Sequence, residues 1–128
     1  SSESTQRYEK SGLDKTSSAQ ILAQLKSLME EEKPYLNSRL SLNELANQLQ
    51  VSKNHLSQAI NESLEKNFFD YVNEYRVEEV KTRLSRPENS HLTLLGIAMD
   101  SGFSSKSSFN HIFKKETGQT PSEYKKSI

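Results

Sequence analysis

The sequence predicts an all-α fold: two helix-turn-helix subdomains joined by a long linker helix, about seven helices in all. Three observations carry the prediction. A pattern repeats: Leu40-Ser41-Leu42, Leu45 and Ala46 return as Leu92-Thr93-Leu94, Ile97 and Ala98, 52 positions later. Leu56, Ile60 and Tyr71 return as Phe109, Phe113 and Tyr124, 53 positions later, so one residue is gained between Ala98 and Phe109. Apolar side chains recur at helical spacing. Four Gly and three Pro in 128 residues leave little turn material for a β fold. Each repeat reads as a short helix, a tight turn and a second helix that begins Ser-Lys.

Residues 1–18 read as a polar linker or tail, in which Tyr8 and Leu13 are the only sizeable apolar side chains before Thr16. Ser17 or Ser18 is expected to cap a helix carrying Ile21, Leu22, Leu25, Leu28 and Met29 at helical spacing. It stops at Lys33-Pro34, because a residue before Pro avoids the α region. Glu30, Glu31 and Glu32 near its end read as a solvated acidic face. Residues 19–66 form the first helix-turn-helix subdomain. Ser41-Leu42-Asn43-Glu44 has the form of a capping box, and Leu42, Leu45, Ala46 and Leu49 make the inner stripe of the helix it opens. Gln50-Val51 makes the turn, and Ser52 caps a helix that buries Leu56, Ala59, Ile60 and Leu64.

Residues 67–86 are the linker helix, capped by Asn67. Its apolar positions, from Phe68 to Leu84, fall on more than one face, as expected of a helix that touches two clusters. Residues 87–128 are the second helix-turn-helix subdomain. A loop runs through Ser90, Thr93 caps the fifth helix, and Gly102 supplies the turn. Ser104 or Ser105 caps the sixth helix, which buries Phe109, Ile112 and Phe113 and ends at Gly118. Thr120-Pro121-Ser122-Glu123 is a capping box with Pro at the first helical position, opening a short last helix.

Composition narrows the function. The hydrophobic content of 32% and charged content of 27% give a small core and a polar surface. The absence of Cys excludes disulfides and thiolate metal sites and suits a cytoplasmic location, although a full-length protein could be membrane-tethered. No apolar run approaches the ~20 residues of a membrane span, so no membrane contact is expected of this segment. A start at Ser rather than Met is expected of a piece of something longer. Three scattered His and no Cys make no metal site, and no cofactor is implied. No nucleophile-elbow, zinc-protease or phosphate-loop sequence occurs, and the carboxylates are spread along helix surfaces, so an enzyme is not expected. Net charge is zero, a mild argument against nucleic-acid binding. Residues 105–128, however, hold five Lys against two Glu, which places a basic surplus on the second repeat.

The outer faces of the two Ser-Lys helices follow from the inner ones. Lys53, Asn54, Ser57, Gln58 and Asn61 point outward in the first, and Lys106, Ser107, Asn110, His111 and Lys114 in the second. Base edges require such donors and acceptors: Asn and Gln can pair bidentately with adenine, and Lys or His can donate to guanine. Serines at helix starts can bond phosphate beside the helix N–H groups. An ordinary solvated face is the competing explanation for one helix and a weaker one for two in equivalent positions. His55, equivalent to Ser108, belongs at the edge of the interface or of the core. Arg76 could reach a phosphate or pair with Asp or Glu. Tyr71 and Tyr124 read as core with hydroxyls at the rim.

The string from Gly102-Phe103 through Phe109, Phe113 and Gly118-Gln119-Thr120-Pro121 to Tyr124 resembles the second-repeat signature of the C-terminal DNA-binding domain of AraC/XylS-family transcription regulators. Leu42, Leu45-Ala46 and Val51-Ser52-Lys53 also fit, as does Asn67 to Arg76 for the start of the family's linker helix; the match runs from about Ala19 to Lys126. The stretch from Tyr8 to Leu13 and the following helix look like Bacteroidetes-type members, in which the domain ends a longer sensor protein. The resemblance implies sequence-specific binding of double-stranded DNA, with recognition helices at about 53–64 and 105–117 in successive major grooves. It implies the output domain of a bacterial regulator, an activator by family expectation, with RNA polymerase as a partner and a homodimer possible through regions outside this segment. Base-reading positions carried over are Asn54, Ser57, Gln58, Lys106, Ser107, Asn110 and His111. Ser41, Ser52, Lys53, Ser104 and Ser105 form the phosphate-positioning set. Two departures concern the backbone: Gln50 and Glu65 stand where Gly is frequent. Ser57, Gln58 and His111 replace frequent Arg or Lys, which implies weaker electrostatic affinity. The alternative is a helical protein-protein interaction module using the same polar faces.

Overall fold

A computed structural model describes residues 15–128, which form seven α-helices and no strand. The helices are α1 (Lys15–Glu31), α2 (Leu42–Leu49), α3 (Lys53–Leu64), α4 (Phe68–Leu84), α5 (Leu94–Asp100), α6 (Lys106–Thr117) and α7 (Pro121–Ser127). Short 3-10 turns lie at Pro34–Leu36 and Pro87–Asn89. The chain divides into two compact units. Of the described residues, unit 1 takes 15–34 and Leu40–Tyr71; unit 2 takes Tyr35–Arg39 and Val72–Ile128.

Unit 1 is a three-helix cluster completed by the start of α4. α1 packs chiefly on α3 and also touches α2. Its buried stripe is Ile21, Leu25 and Met29, four residues apart, against Leu45, Ala46, Leu56, Ala59 and Ile60 from the other two helices. The expected cap at Ser17 or Ser18 is not where α1 begins. The helix is already under way at Lys15, and Ser18 is buried within it, its hydroxyl 3.1 Å from that of Ser63. A serine signals a helix start only where its oxygen turns to its own backbone, and here the oxygen has a tertiary partner instead. Of the polar tail expected over residues 1–18, residues 15–18 belong to α1 and residues 1–14 lie outside the described residues.

The turns of unit 1 confirm where the backbone departs from the ordinary. Ser41 accepts the Glu44 N–H at 3.1 Å and starts α2. Gln50 ends it at φ 58° and ψ 40°, with Val51 N–H returning to the Ala46 carbonyl at 3.0 Å. Glu65 ends α3 at φ 55°. Both are the positions where the sequence places a larger residue in a Gly-favouring turn.

Unit 2 is built on the second part of α4. Val77 and Val80 meet Ile97, Ala98, Phe103, Phe109 and Phe113, and Leu84, Leu92, Leu94, Ile112 and Tyr124 pack around them. The rings form a chain: Phe103 to Phe109 at 5.1 Å, Phe109 to Phe113 at 5.7 Å, and Phe113 to Tyr124 at 5.5 Å between centroids. Such tilted and edge-on contacts add about 0.5–1.5 kcal/mol each beyond burial. Gly118 ends α6 at φ 81°, and Thr120 with Glu123 forms a complete capping box on α7.

The pentapeptide Tyr35–Arg39 is a strap on α4. Arg76, 9% exposed, donates to the Tyr35 carbonyl at 2.8 Å, the Asn37 carbonyl at 2.9 Å and Asn73 Oδ1 at 3.1 Å. Among the described residues Arg76 thus makes no pairing with Asp or Glu: two backbone carbonyls and the Asn73 amide oxygen take its donors. Burial lowers its pKa from the ordinary arginine value. The Tyr35 ring stacks on Tyr75 at 5.4 Å, and its hydroxyl donates to the buried Glu79 at 3.2 Å. Arg83 donates to the other Glu79 oxygen at 2.8 Å. Among the described residues, no buried side-chain nitrogen or oxygen lacks a hydrogen-bond partner.

Candidate nucleic-acid interface

Each unit presents one helix whose inner stripe is apolar and whose outer strip is polar. Burial of Leu56, Ala59 and Ile60 turns α3 so that Lys53 and Asn54 are exposed and Ser57 and Gln58 half-buried. Burial of Phe109 and Phe113 turns α6 so that Lys106, Ser107, Asn110 and His111 are exposed. Within unit 1 the helix therefore brings Ser52, Lys53, Asn54, Ser57 and Gln58 together, while Ser41 stands apart at the start of α2. Within unit 2, Ser104, Ser105, Lys106, Ser107, Asn110 and His111 share α6 and its lead-in.

The serines at the helix starts already have a structural task. Ser52 accepts the His55 N–H at 3.0 Å, and Ser105 accepts the Ser108 N–H at 3.1 Å. Each such cap is worth about 1 kcal/mol. A hydroxyl that accepts retains its proton for donation. The open choice between Ser104 and Ser105 as cap falls on Ser105. Ser104 is then the residue gained in the second repeat. Gln50-Val51 and Gly102-Phe103 stand four and five residues past the repeat's Ala, with Phe103 N–H returning to Ala98 at 3.1 Å as Val51 does to Ala46. Ser104 alone separates that turn from the cap.

Two of the outward positions read from the sequence lie outside the base-reading set yet belong to the same strips. Asn61 Nδ2 donates to Ser57 Oγ at 3.2 Å, which ties two outward positions of α3 together. Lys114 is exposed one turn beyond Asn110. Glu123 lies near Lys114 and Lys126. Its carboxyl is held below the usual range first by the Thr120 N–H and then by the Thr120 hydroxyl, with the two lysines assisting. His55 is half-buried, Tyr71 buried and Tyr124 half-buried. No group of three or more metal-ligating side chains occurs among the described residues, and no helix there is long and apolar enough to cross a membrane.

Two helix-turn-helix units with capped, polar-faced second helices define a DNA-binding class of domain. Residues 45–127 match the helix-turn-helix domain family, and the chain belongs to the AraC-type branch of these DNA-binding transcription regulators. It is 37% identical over 91 residues to an uncharacterised HTH-type transcriptional regulator of Staphylococcus aureus strain COL, covering 71% of this chain and 12% of that protein. The chain thus spans about an eighth of the length of that curated relative. Its fold is similar to the C-terminal domain of AraT, a response regulator from Geobacillus stearothermophilus, with a TM-score of 0.71, 26% identity, and coverage of 84% of this chain and 85% of that one. It is also similar to the C-terminal domain of the two-component response regulator yesN from Fusobacterium nucleatum, with a TM-score of 0.64, 29% identity, and coverage of 78% and 96%.

Proposed function

We propose that this chain is the sequence-specific, double-stranded DNA-binding output domain of a bacterial transcription activator acting in the cytoplasm. The 19–66 and 87–128 subdomains, joined by the 67–86 helix, each place one recognition helix in a major groove, α3 and α6 taking successive grooves about 34 Å apart. The observation that supports this reading is the repetition itself. Two helices in equivalent positions, each started by Ser-Lys, turn short hydrogen-bonding side chains to solvent, where a groove floor would meet them. Asn54, Ser57, Gln58, Lys106, Ser107, Asn110 and His111 read bases. Ser41, Ser52, Lys53, Ser104 and Ser105 position phosphates. RNA polymerase is the partner of a surface that DNA leaves open, and homodimerisation belongs to regions outside this segment.

Selection of duplexes from a random pool, followed by salt titration, tests the reading. A protein making about six phosphate contacts loses roughly three orders of magnitude in affinity between 50 and 200 mM salt. Lys53→Ala is expected to weaken binding to every sequence and flatten the salt slope by about one unit. An interaction module that uses these faces on another protein would select no duplex and show no such slope.

A further inference from the structure

The two recognition helices share one architecture and differ in chemistry. α3 and α6 are both twelve residues long and both serine-capped, and their positions correspond 53 apart. Along the outer strip Asn54 corresponds to Ser107, Ser57 to Asn110, Gln58 to His111, Asn61 to Lys114 and Glu62 to Lys115. The first strip from Asn54 to Asn61 is three amides and a hydroxyl, with no formal charge. Its far end, Asn61-Glu62, carries one negative charge where Lys114-Lys115 carries two positive ones. The difference extends to the units. Residues 15–34 and 40–71 hold five Lys against seven Asp and Glu, whereas residues 35–39 and 72–128 hold ten Lys and Arg against seven.

These groups answer to different parts of a duplex. Amides match the adenine N6 and N7 edge, ammonium groups match guanine O6 and N7. Each neutralised phosphate contributes a slope of about 0.9 to the salt dependence, so the slope follows the lysines. Resting on the DNA-binding reading above, we propose that the operator is chemically bipartite. α3 reads an adenine-bearing half through uncharged amides, with Lys53 alone at its start for phosphate. α6 reads a half in which guanine faces Lys106 or Lys114 beside an adenine for Asn110. Unit 2 supplies most of the salt dependence.

The test uses the full chain and two double variants at exposed or half-exposed positions, Asn54→Ala with Gln58→Ala and Lys106→Gln with Lys114→Gln, each checked for unchanged thermal denaturation. Duplex selection with the parent is expected to return one half with fixed adenines and another that includes guanine. The amide variant loses discrimination, about tenfold or more, in the adenine half only, and keeps the parental salt slope. The lysine variant flattens the slope by about one unit, through the lysine of the pair that meets phosphate, and relaxes the guanine-bearing half through the other. Two halves with the same bases, or a slope lowered as much by the amide variant as by the lysine variant, overturns the proposal while leaving DNA binding intact. No duplex enriched by the parent, and none bound at low salt, overturns the DNA-binding reading beneath it.

Discussion

Gln50 and Gly102 occupy the same place in the two repeats, four residues past an Ala, and both hold positive φ, 58° and 107°. Their surroundings differ. Gln50 is exposed, whereas a Cβ on Gly102 would sit 2.2 Å from the Tyr35 carbonyl oxygen and 2.7 Å from Arg76 Nε. Gln50 therefore bears only local backbone strain. Gln50→Gly is expected to stabilise the protein by about 0.5–1 kcal/mol, net of the entropy Gly loses on folding. Gly102→Ala is expected to destabilise it by more than about 2 kcal/mol, because both φ and space oppose it. Urea denaturation of the two variants measures both; equal and opposite small effects would contradict the packing argument. Tyr35 shows a second residue-scale effect. Burial, with help from Glu79, pushes its phenol up to about 12 from 10.0. A raised pKa adds stability that is complete below the unfolded value and is lost as pH climbs through the folded one. Tyr35→Phe should thus flatten the alkaline decline in melting temperature between pH 10 and 12, the window set by that shift. The Gly-favouring turns were legible only through the family resemblance, which puts Gln50 and Glu65 where Gly is frequent; both hold positive φ. The reason Gly102 is obligatory was not legible, because a carbonyl from 67 positions upstream leaves no side-chain signature.

Among the elements, α2 to α7 were legible because their signals are local: a Ser, Thr or Asn before an apolar stripe, and a turn after it. Asn67 accepts the Asp70 N–H at 2.8 Å, and Thr93 the Gly96 N–H at 2.9 Å, where the sequence places those caps. The start of α1 was not legible, since the helix is already under way at Lys15 and the Ser18 hydroxyl meets Ser63 on α3. The same logic separates Ser104 from Ser105. Ser105→Ala is expected to cost about 1 kcal/mol of stability through its lost cap, while Ser104→Ala leaves stability within about 0.5 kcal/mol. Thermal melts of both variants check this. In DNA binding the order need not follow stability, and a loss of affinity in Ser104→Ala with an unchanged melt would assign its hydroxyl to phosphate.

At the scale of the whole molecule, each repeat serves as a control for the other. Leu95 and Met99, one turn apart on α5, are 41% and 44% exposed, while the matching positions of α2 are the exposed Asn43 and Asn47. The fold plainly accepts polar residues there, so the apolar pair answers to something other than folding. If the domain contacts RNA polymerase as proposed above, this pair is a surface to test for that contact. Leu95→Asn with Met99→Asn is expected to leave DNA affinity and melting temperature unchanged and to lower transcription from a promoter carrying the selected site. Unchanged transcription would remove the pair from that role. Outer faces were readable from sequence because buried stripes imply them, and the repeat made them comparable. What stayed illegible is the strap, whose hold on Arg76 runs through main-chain oxygens. Its consequence concerns modularity. A downstream half excised at the start of the long helix would leave behind the five residues that cover its arginine and its buried glutamate. Any chimaera that grafts this half onto another regulator must carry that upstream pentapeptide with it, although the pentapeptide is numbered among the residues of the other half.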